Sequence, residues 1–327
     1  MKNQLPLSRH SAFSPTIRSS ADQPIKNSRA FRLATLFVVS SIAAISSMGI
    51  VSNVFAQSPE PVAQAPVKPA VKPATKASPK PAAAKSASAK FDAAVTLNKA
   101  IRQTMLAERI TKSFSLIGQN VLETRSRRQM EDSLREFGVA LKELRAASPT
   151  PEIKENYELL AQLFEEFQGI QTKPVNIENA KELAEQNEEL VWISQKGAML
   201  IQAHTKSTRS DLITTAGDAR TLTQRIAKLY LFRSWGVRSE VITKDLTTAL
   251  AGYRTSINKL LASAANTDAI KSELALAETQ WTFLQQAMDR LNANQTSKIE
   301  LEFVSKSCDN ILEVMERVTK LYEGLKT

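Results

Sequence analysis

After Phe91, apolar residues recur at intervals of three and four almost to the end of the chain, the spacing that puts them on one face of an α-helix. Leu97, Ile101, Met105, Leu106, Ile110, Phe114, Ile117 and Val121 predict a first helix from about Phe91 to about Thr124. Met130, Leu134, Phe137, Leu141 and Leu144 predict a second, from about Arg127 to Ala147. Ser148-Pro149-Thr150-Pro151 ends it, since proline cannot continue the hydrogen-bond ladder. Thr150, Pro151 and Glu152 make a good N-terminus for a third helix. Its face is Ile153, Tyr157, Leu160, Phe164 and Phe167, and it stops near Gly169. Beyond Pro174 a fourth helix carries the seam Ala180, Leu183, Asn187, Leu190, Ser194, Gly197, Ile201 and His204. No run of alternating β-branched residues interrupts this pattern, so the fold class is all-α.

The second half repeats the plan. Ala216, Ala219 and Thr223 form a line of small residues leading to Ile226 and Tyr230 on a helix that ends near Trp235-Gly236. Val241, Leu246, Leu250, Tyr253, Ile257 and Leu260 mark the next helix, and Leu274, Leu276, Trp281, Leu284 and Met288 the one after. The last has an alternating three-four seam, Leu301, Val304, Cys308, Ile311, Met315, Val318, Tyr322 and Leu325, the spacing of bundle packing. Arg109-Ile110-Thr111-Lys112 precedes Arg225-Ile226-Ala227-Lys228 by 116 residues, Phe137 answers Tyr253, and Phe164 answers Trp281 at 117. The fourth seams match at 121, Asn187 over Cys308. Two tandem four-helix bundle modules, 91–205 and 206–327, account for this register. Residues 203–211 hold neither a large apolar residue before Leu212 nor a Gly or Pro. A continuous or barely broken helix joining the modules end to end is the expectation; a tight turn capped by Ser207 or Ser210 is the alternative.

The 90 residues before this region change the picture of charge and compartment. Residues 1–32 are polar and basic, Leu33 to Val51 is free of charge, and Val54-Phe55-Ala56 precedes Gln57 like a cleavage site. Residues 1–56 therefore read as a signal peptide for Sec export to the periplasm, with an uncleaved anchor in the inner membrane as the alternative. Residues 57–90 contain seven prolines and six lysines among many alanines, the composition of an extended, solvated linker. The chain carries a net charge of +10, but the leader and linker hold twelve of its basic and two of its acidic residues. Residues 91–327 keep 31 of each and are neutral. No basic stripe is left to follow phosphates, which argues against nucleic-acid binding. Contact with a membrane is expected only through an uncleaved leader or the lysine-rich linker.

Catalytic chemistry finds little to stand on. His10 and His204 are the only histidines and Cys308 the only cysteine, so no metal-ligand set or nucleophile–base pair is in view. No phosphate-cradling glycine loop occurs, and no cofactor is implied. His204 reads as a seam histidine and Cys308 as a small buried apolar residue. The carboxylates fall on solvated helix faces, in pairs such as Glu313/Arg317. Arg220 stands apart, since a guanidinium beside a small-residue seam presents a planar fork to an oxyanion, or to a carboxylate of a neighbouring helix.

These residues carry a resemblance. Ala216, Gly217, Arg220, Leu222, Gln224, Arg225, Ile226, Ala227 and Lys228 match the helix motif of the N-terminal sensor domain of type IV pili methyl-accepting chemotaxis transducers, the PilJ family, related to NarX-type nitrate sensors. Ala100, Arg102, Gln103, Met105, Leu106, Arg109, Ile110 and Lys112 match it again. The resemblance implies an extracytoplasmic four-helix module sensing a small ligand, with homodimer contacts through the motif helices. By position it assigns the anion-binding arginine to Arg220, beside Gly217, Gln224 and Arg225. In the first copy Thr104 stands at the arginine position and Ile101 at the glycine position, Glu108 departs from the motif as well, and Arg102 and Arg109 are the degenerate equivalents. Asp218 and Thr221 depart from the motif in the second. The expectation is a non-enzymatic sensor of a small, nitrate-like anion or a partner helix, signalling as a homodimer or through a membrane partner. The alternative is an envelope scaffold or adaptor whose motifs serve helix packing alone.

Overall fold

Eight helices follow one another without a strand among the described residues, which in this computed structural model are 92–237, 240–289 and 297–325. They are α1 (Ala93–Gly118), α2 (Glu123–Ala146), α3 (Pro151–Gln168), α4 (Ile177–Thr205), α5 (Thr208–Ser234), α6 (Glu240–Leu261), α7 (Asp268–Asp289) and α8 (Lys298–Glu323), with a 3-10 turn at Gly169–Thr172. The leader, its cleavage site and the linker lie outside the described residues. No described helix is long and apolar enough to cross a membrane.

Polar side chains fix where the helices start. Asp92 accepts from Ala94 N at 3.0 Å, Thr150 Oγ1 from Ile153 N at 3.3 Å, and Asn176 Oδ1 from Asn179 N at 2.8 Å. Ser297 and Glu300 form a reciprocal capping box on α8, which satisfies two amides that a helix start leaves open. The predicted first helix ends earlier than expected. Asn120 and Leu122 take positive φ values of 53° and 49°, a left-handed step that Asn tolerates and that breaks the ladder before Glu123.

The joint between the halves also differs from the expected continuous helix. α4 stops at Thr205, and Ser207 Oγ accepts from Ser210 N at 3.1 Å to start α5 afresh. The chain reverses there. Gln202 donates to Asp211 at 3.0 Å and Lys228 to Glu188 at 2.8 Å, so α4 and α5 run antiparallel rather than end to end.

The predicted apolar faces are buried or half-buried, with three exceptions. Val241 and Leu276 are exposed, and His204 is exposed rather than set into the seam. Phe137 stacks on Phe164 and Tyr253 on Trp281, each at 4.3 Å between ring centroids. α1 packs against α2, α4 and α5, while α5 packs against α6, α8 and α1. α3 rests on α4 and α2, and α7 chiefly on α8. All the described residues belong to one compact unit, Ala82–Thr327.

α1 and α5 are its axis. Nineteen of 26 residues in α1 and 18 of 27 in α5 are buried, against 8 of 24 in α2. The two helices run parallel and in the register of the sequence repeat. Ile101 meets Gly217 near their N-terminal ends, Glu108 meets Arg225 at 2.7 Å midway, and Gly118 lies beneath Trp235 at the far end. Gly217 is what permits the approach, because a Cβ there would stand 2.5 Å from Ile101 Cγ2.

Candidate functional site

Two helices enclosed on most sides must bury many of the polar residues that lie off their apolar stripe. Gln103, Thr104, Glu108, Thr111 and Lys112 of α1 are buried, as are Arg220, Thr223, Gln224 and Lys228 of α5. Buried charges are tolerated only when paired, and for the two lysines a partner comes from the fourth helix of the opposite half. Lys112 forms an ion pair with Asp309 of α8, which also accepts from Arg125 at 3.2 Å and Gln129 at 3.3 Å. Lys228 donates to Asn187 at 2.7 Å and to Glu188 of α4 at 2.8 Å. Its Nζ also lies 2.7 Å from Glu108 Oε2, close enough for an ion pair but out of line for a hydrogen bond. Lys112 and Lys228 stand 116 residues apart and Glu188 and Asp309 121 apart, so the repeat register relates one cross-tie to the other.

The field around these ties is uneven. Burial works against the Asp309 carboxylate, but Lys112, Arg125 and Gln129 outweigh it and hold its pKa below the ordinary carboxylate range. Burial lowers the Lys112 ammonium, with Asp309 opposing the fall. At Glu188 burial is likewise overcome, by Lys228 and Arg225, and its pKa is held down to about 2. Burial pushes the Cys308 thiol up, as suits an apolar seam residue.

Arg220 lies at the other end of the seam and is wholly buried. Its Nη1 donates to Glu316 Oε2 of α8 at 2.9 Å, and its Nη2 reaches the Asn98 carbonyl at 3.5 Å. Nε is buried without a partner among the described residues. Arg102 of α1 converges on the same carboxylate, forming an ion pair with Glu316 Oε1 and another with Glu136 of α2. Burial lowers the Arg220 pKa, Glu316 raises it, and the like charge of Arg102 lowers it further.

The other predicted residues divide. Gly217 is the contact point with Ile101. Gln224 is buried, 3.4 Å from Asp309, with Oε1 unpartnered among the described residues. Arg225 turns to another face and pairs with Glu108 at 2.7 Å, Glu188 at 3.0 Å and Asp245 at 3.4 Å. Arg109 donates to Ser133 at 2.8 Å and lies 3.5 Å from Glu136. Arg102 and Arg220 are thus brought onto one group, whereas Arg109 only shares Glu136 with Arg102 and Arg225 serves separate ion pairs. Asp218 is exposed, so it does not neutralise Arg220 from within the seam. Arg317 pairs across to Glu273 of α7 at 2.9 Å.

Sequence reasoning missed Glu316, Glu188 and Asp309, and met Glu108 only as a departure from the motif. Glu188 and Asp309 answer each other at the 121-residue offset, a signal that was there to find. Glu316 faces Gln195 at that offset and had none. Among the described residues no His, Cys, Asp and Glu cluster has the makings of a metal site. No family model matches this chain, and neither a curated protein nor a solved structure matches it.

Proposed function

We propose that this chain is a non-enzymatic, exported helical protein of the PilJ/NarX sensor kind, built from two tandem motif-bearing modules and acting through a separate partner protein. The observation that carries the reading is the parallel, in-register pairing of α1 with α5, Ile101 against Gly217 and Glu108 against Arg225. The resemblance implies motif helices contributed by two subunits. Here one chain supplies both, and the face otherwise available for a homodimer is already buried. Sensing would then depend on how firmly the two motif helices are held together, and Arg220, beside Gly217 and Gln224, is the cation through which a small anion would act. Calorimetric titration of the full chain with nitrate and nitrite tests this reading. Saturable heat in the wild type that disappears in Arg220→Ala supports it; equal responses from both proteins remove Arg220 from it.

A second reading has its own observation. Glu316 already neutralises Arg220 at 2.9 Å, which favours a periplasmic scaffold or adaptor in which the motifs hold helices together and partners dock elsewhere. In that case envelope proteins captured by the wild type are captured equally by Arg220→Ala, and neither protein responds to oxyanions.

A further inference from the structure

Arg102, Arg220 and Glu316 come from α1, α5 and α8, and they meet where α8 crosses the parallel pair. Each oxygen of the Glu316 carboxylate has its own guanidinium, Oε1 that of Arg102 and Oε2 that of Arg220. A carboxylate held in this way occupies the position of a small planar oxyanion spanning two cations. The two arginines are not equally provided for. Arg102 has a second acceptor in Glu136. Arg220, fully buried, has Glu316 as its one close acceptor, a long reach to the Asn98 carbonyl, and a buried Nε without a partner among the described residues. An arginine carries five donors, so this site presents more donors than its occupant fills.

Glu316 is also open on its outward side. Its side chain is a quarter exposed where that of Arg220 is not exposed at all. It borders an open depression between α7 and α8, together with Ser272, Glu273, Arg317 and Lys320. A rotation of its side chain toward that depression takes the carboxylate into water on the side of Lys320, the Arg317 guanidinium there being held by Glu273. Nothing comparable offers Arg220 an exit.

We propose that Glu316 is a tethered occupant of a two-arginine oxyanion site, and that a small planar oxyanion of the carboxylate or nitrate class competes with it for Arg102 and Arg220. This rests on the reading of Arg220 as the anion-responsive cation and adds the device that regulates it. Exchange of the tethered carboxylate for a free anion keeps Arg220 neutralised while cutting the tie between α8 and the α1–α5 pair. A tethered group competes at an effective concentration of about millimolar or more. Removing it lowers the anion concentration needed for half-saturation by about tenfold or more.

The test is a thermal-shift titration of the full chain with sodium formate, acetate and nitrate, against sodium chloride at equal ionic strength. Wild type, Glu316→Ala, Glu316→Gln and Glu316→Ala/Arg220→Ala are compared. Glu316→Gln keeps the side-chain volume and serves if the alanine variant does not fold. The expected result is a lowered melting temperature in the Glu316 variants, restored saturably by the oxyanions but not by chloride, with no restoration once Arg220 is also replaced. The wild type responds only at concentrations at least about tenfold higher. A wild type that responds at the same concentrations as the variants overturns the tethered-occupant proposal and leaves the anion reading of Arg220 standing. Absence of any oxyanion-specific response in all the proteins overturns both.

Discussion

Replacing Gly217 by alanine tests the axis of the fold directly. On an exposed helix face the change stabilises, because glycine in a helix interior costs about 1 kcal/mol relative to alanine. At Gly217 the new Cβ stands 2.5 Å from Ile101 Cγ2 and 3.3 Å from Ile101 Cβ, where carbon atoms ordinarily rest about 3.5–4.0 Å apart. Ile101 is β-branched and its χ1 is stiff, and it is buried between the helices, so α1 and α5 must separate by roughly 1 Å. Overpacking of this kind costs about 1–3 kcal/mol. After the helix-propensity gain, the net loss centres on about 1 kcal/mol, or about 2–4 °C in melting temperature for a folded region of this size. Ile101→Ala alone costs about 2–5 kcal/mol. Combined with Gly217→Ala it removes the collision, so the double variant is more stable than the two losses added together by about 1–2 kcal/mol. Urea unfolding of the four proteins measures this coupling. A Gly217→Ala variant more stable than wild type by the propensity difference, with additive effects in the double variant, refutes the α1–α5 contact.

The buried cross-ties give two more expectations. Asp309→Ala strands Lys112 without its counter-charge and costs about 3–5 kcal/mol, whereas Lys112→Met with Asp309→Leu returns most of that loss, since an apolar pair of similar volume often equals a buried ion pair; urea titration separates the two. For Glu188, whose folded-state pKa of about 2 lies below its ordinary 4.5, the depressed value contributes stability that is fully present above pH 4.5 and is lost as pH falls toward 2. The side chain is half exposed, so solvent reduces the effect. Glu188→Gln should therefore be the less stable protein at pH 7 and converge on the wild type near pH 2 in thermal melts, and a gap that persists there assigns the loss to packing instead.

The bundle was legible wherever a helix has one wet face and one dry one. The faces of α2 and α3, and the seams of α4 and α8, follow the three-four spacing because each of these helices meets the core on one side. The repeat was legible too, through Phe137 and Phe164 against Tyr253 and Trp281. The positions of α1 and α5 were not. Their apolar stripes show how each packs into its own half, but the sides they turn to one another and to the fourth helices carry Glu108, Lys112, Gln224 and Lys228. By composition those residues resemble a solvated face. Periodicity cannot distinguish a polar face that meets water from one that meets a complementary polar face. For the same reason the candidate site was half visible: Arg220, Gly217 and Arg102 were in the motif, but Glu316 sits 96 residues after Arg220, on a helix whose pattern is dominated by its apolar seam.

That polar seam bears on why the chain contains the motif twice. A stripe of small residues brings two helices close but specifies their register weakly, since neighbouring small residues offer similar contacts one turn along. Buried ion pairs do the reverse: they contribute little net stability and penalise every misaligned arrangement, because a slipped register strands a charge. In this chain Lys112 and Lys228 each reach the fourth helix of the opposite half, and Glu316 joins a guanidinium from each motif helix. Pairing is therefore specified by charges that cross between the halves, Lys112 and Arg102 to acids of α8 and Lys228 to an acid of α4. A separation or slip of α1 against α5 exposes these charges together rather than one at a time, which makes the seam a cooperative element. An anion exchanged for Glu316 would act on that element at the point where α8 fastens to it.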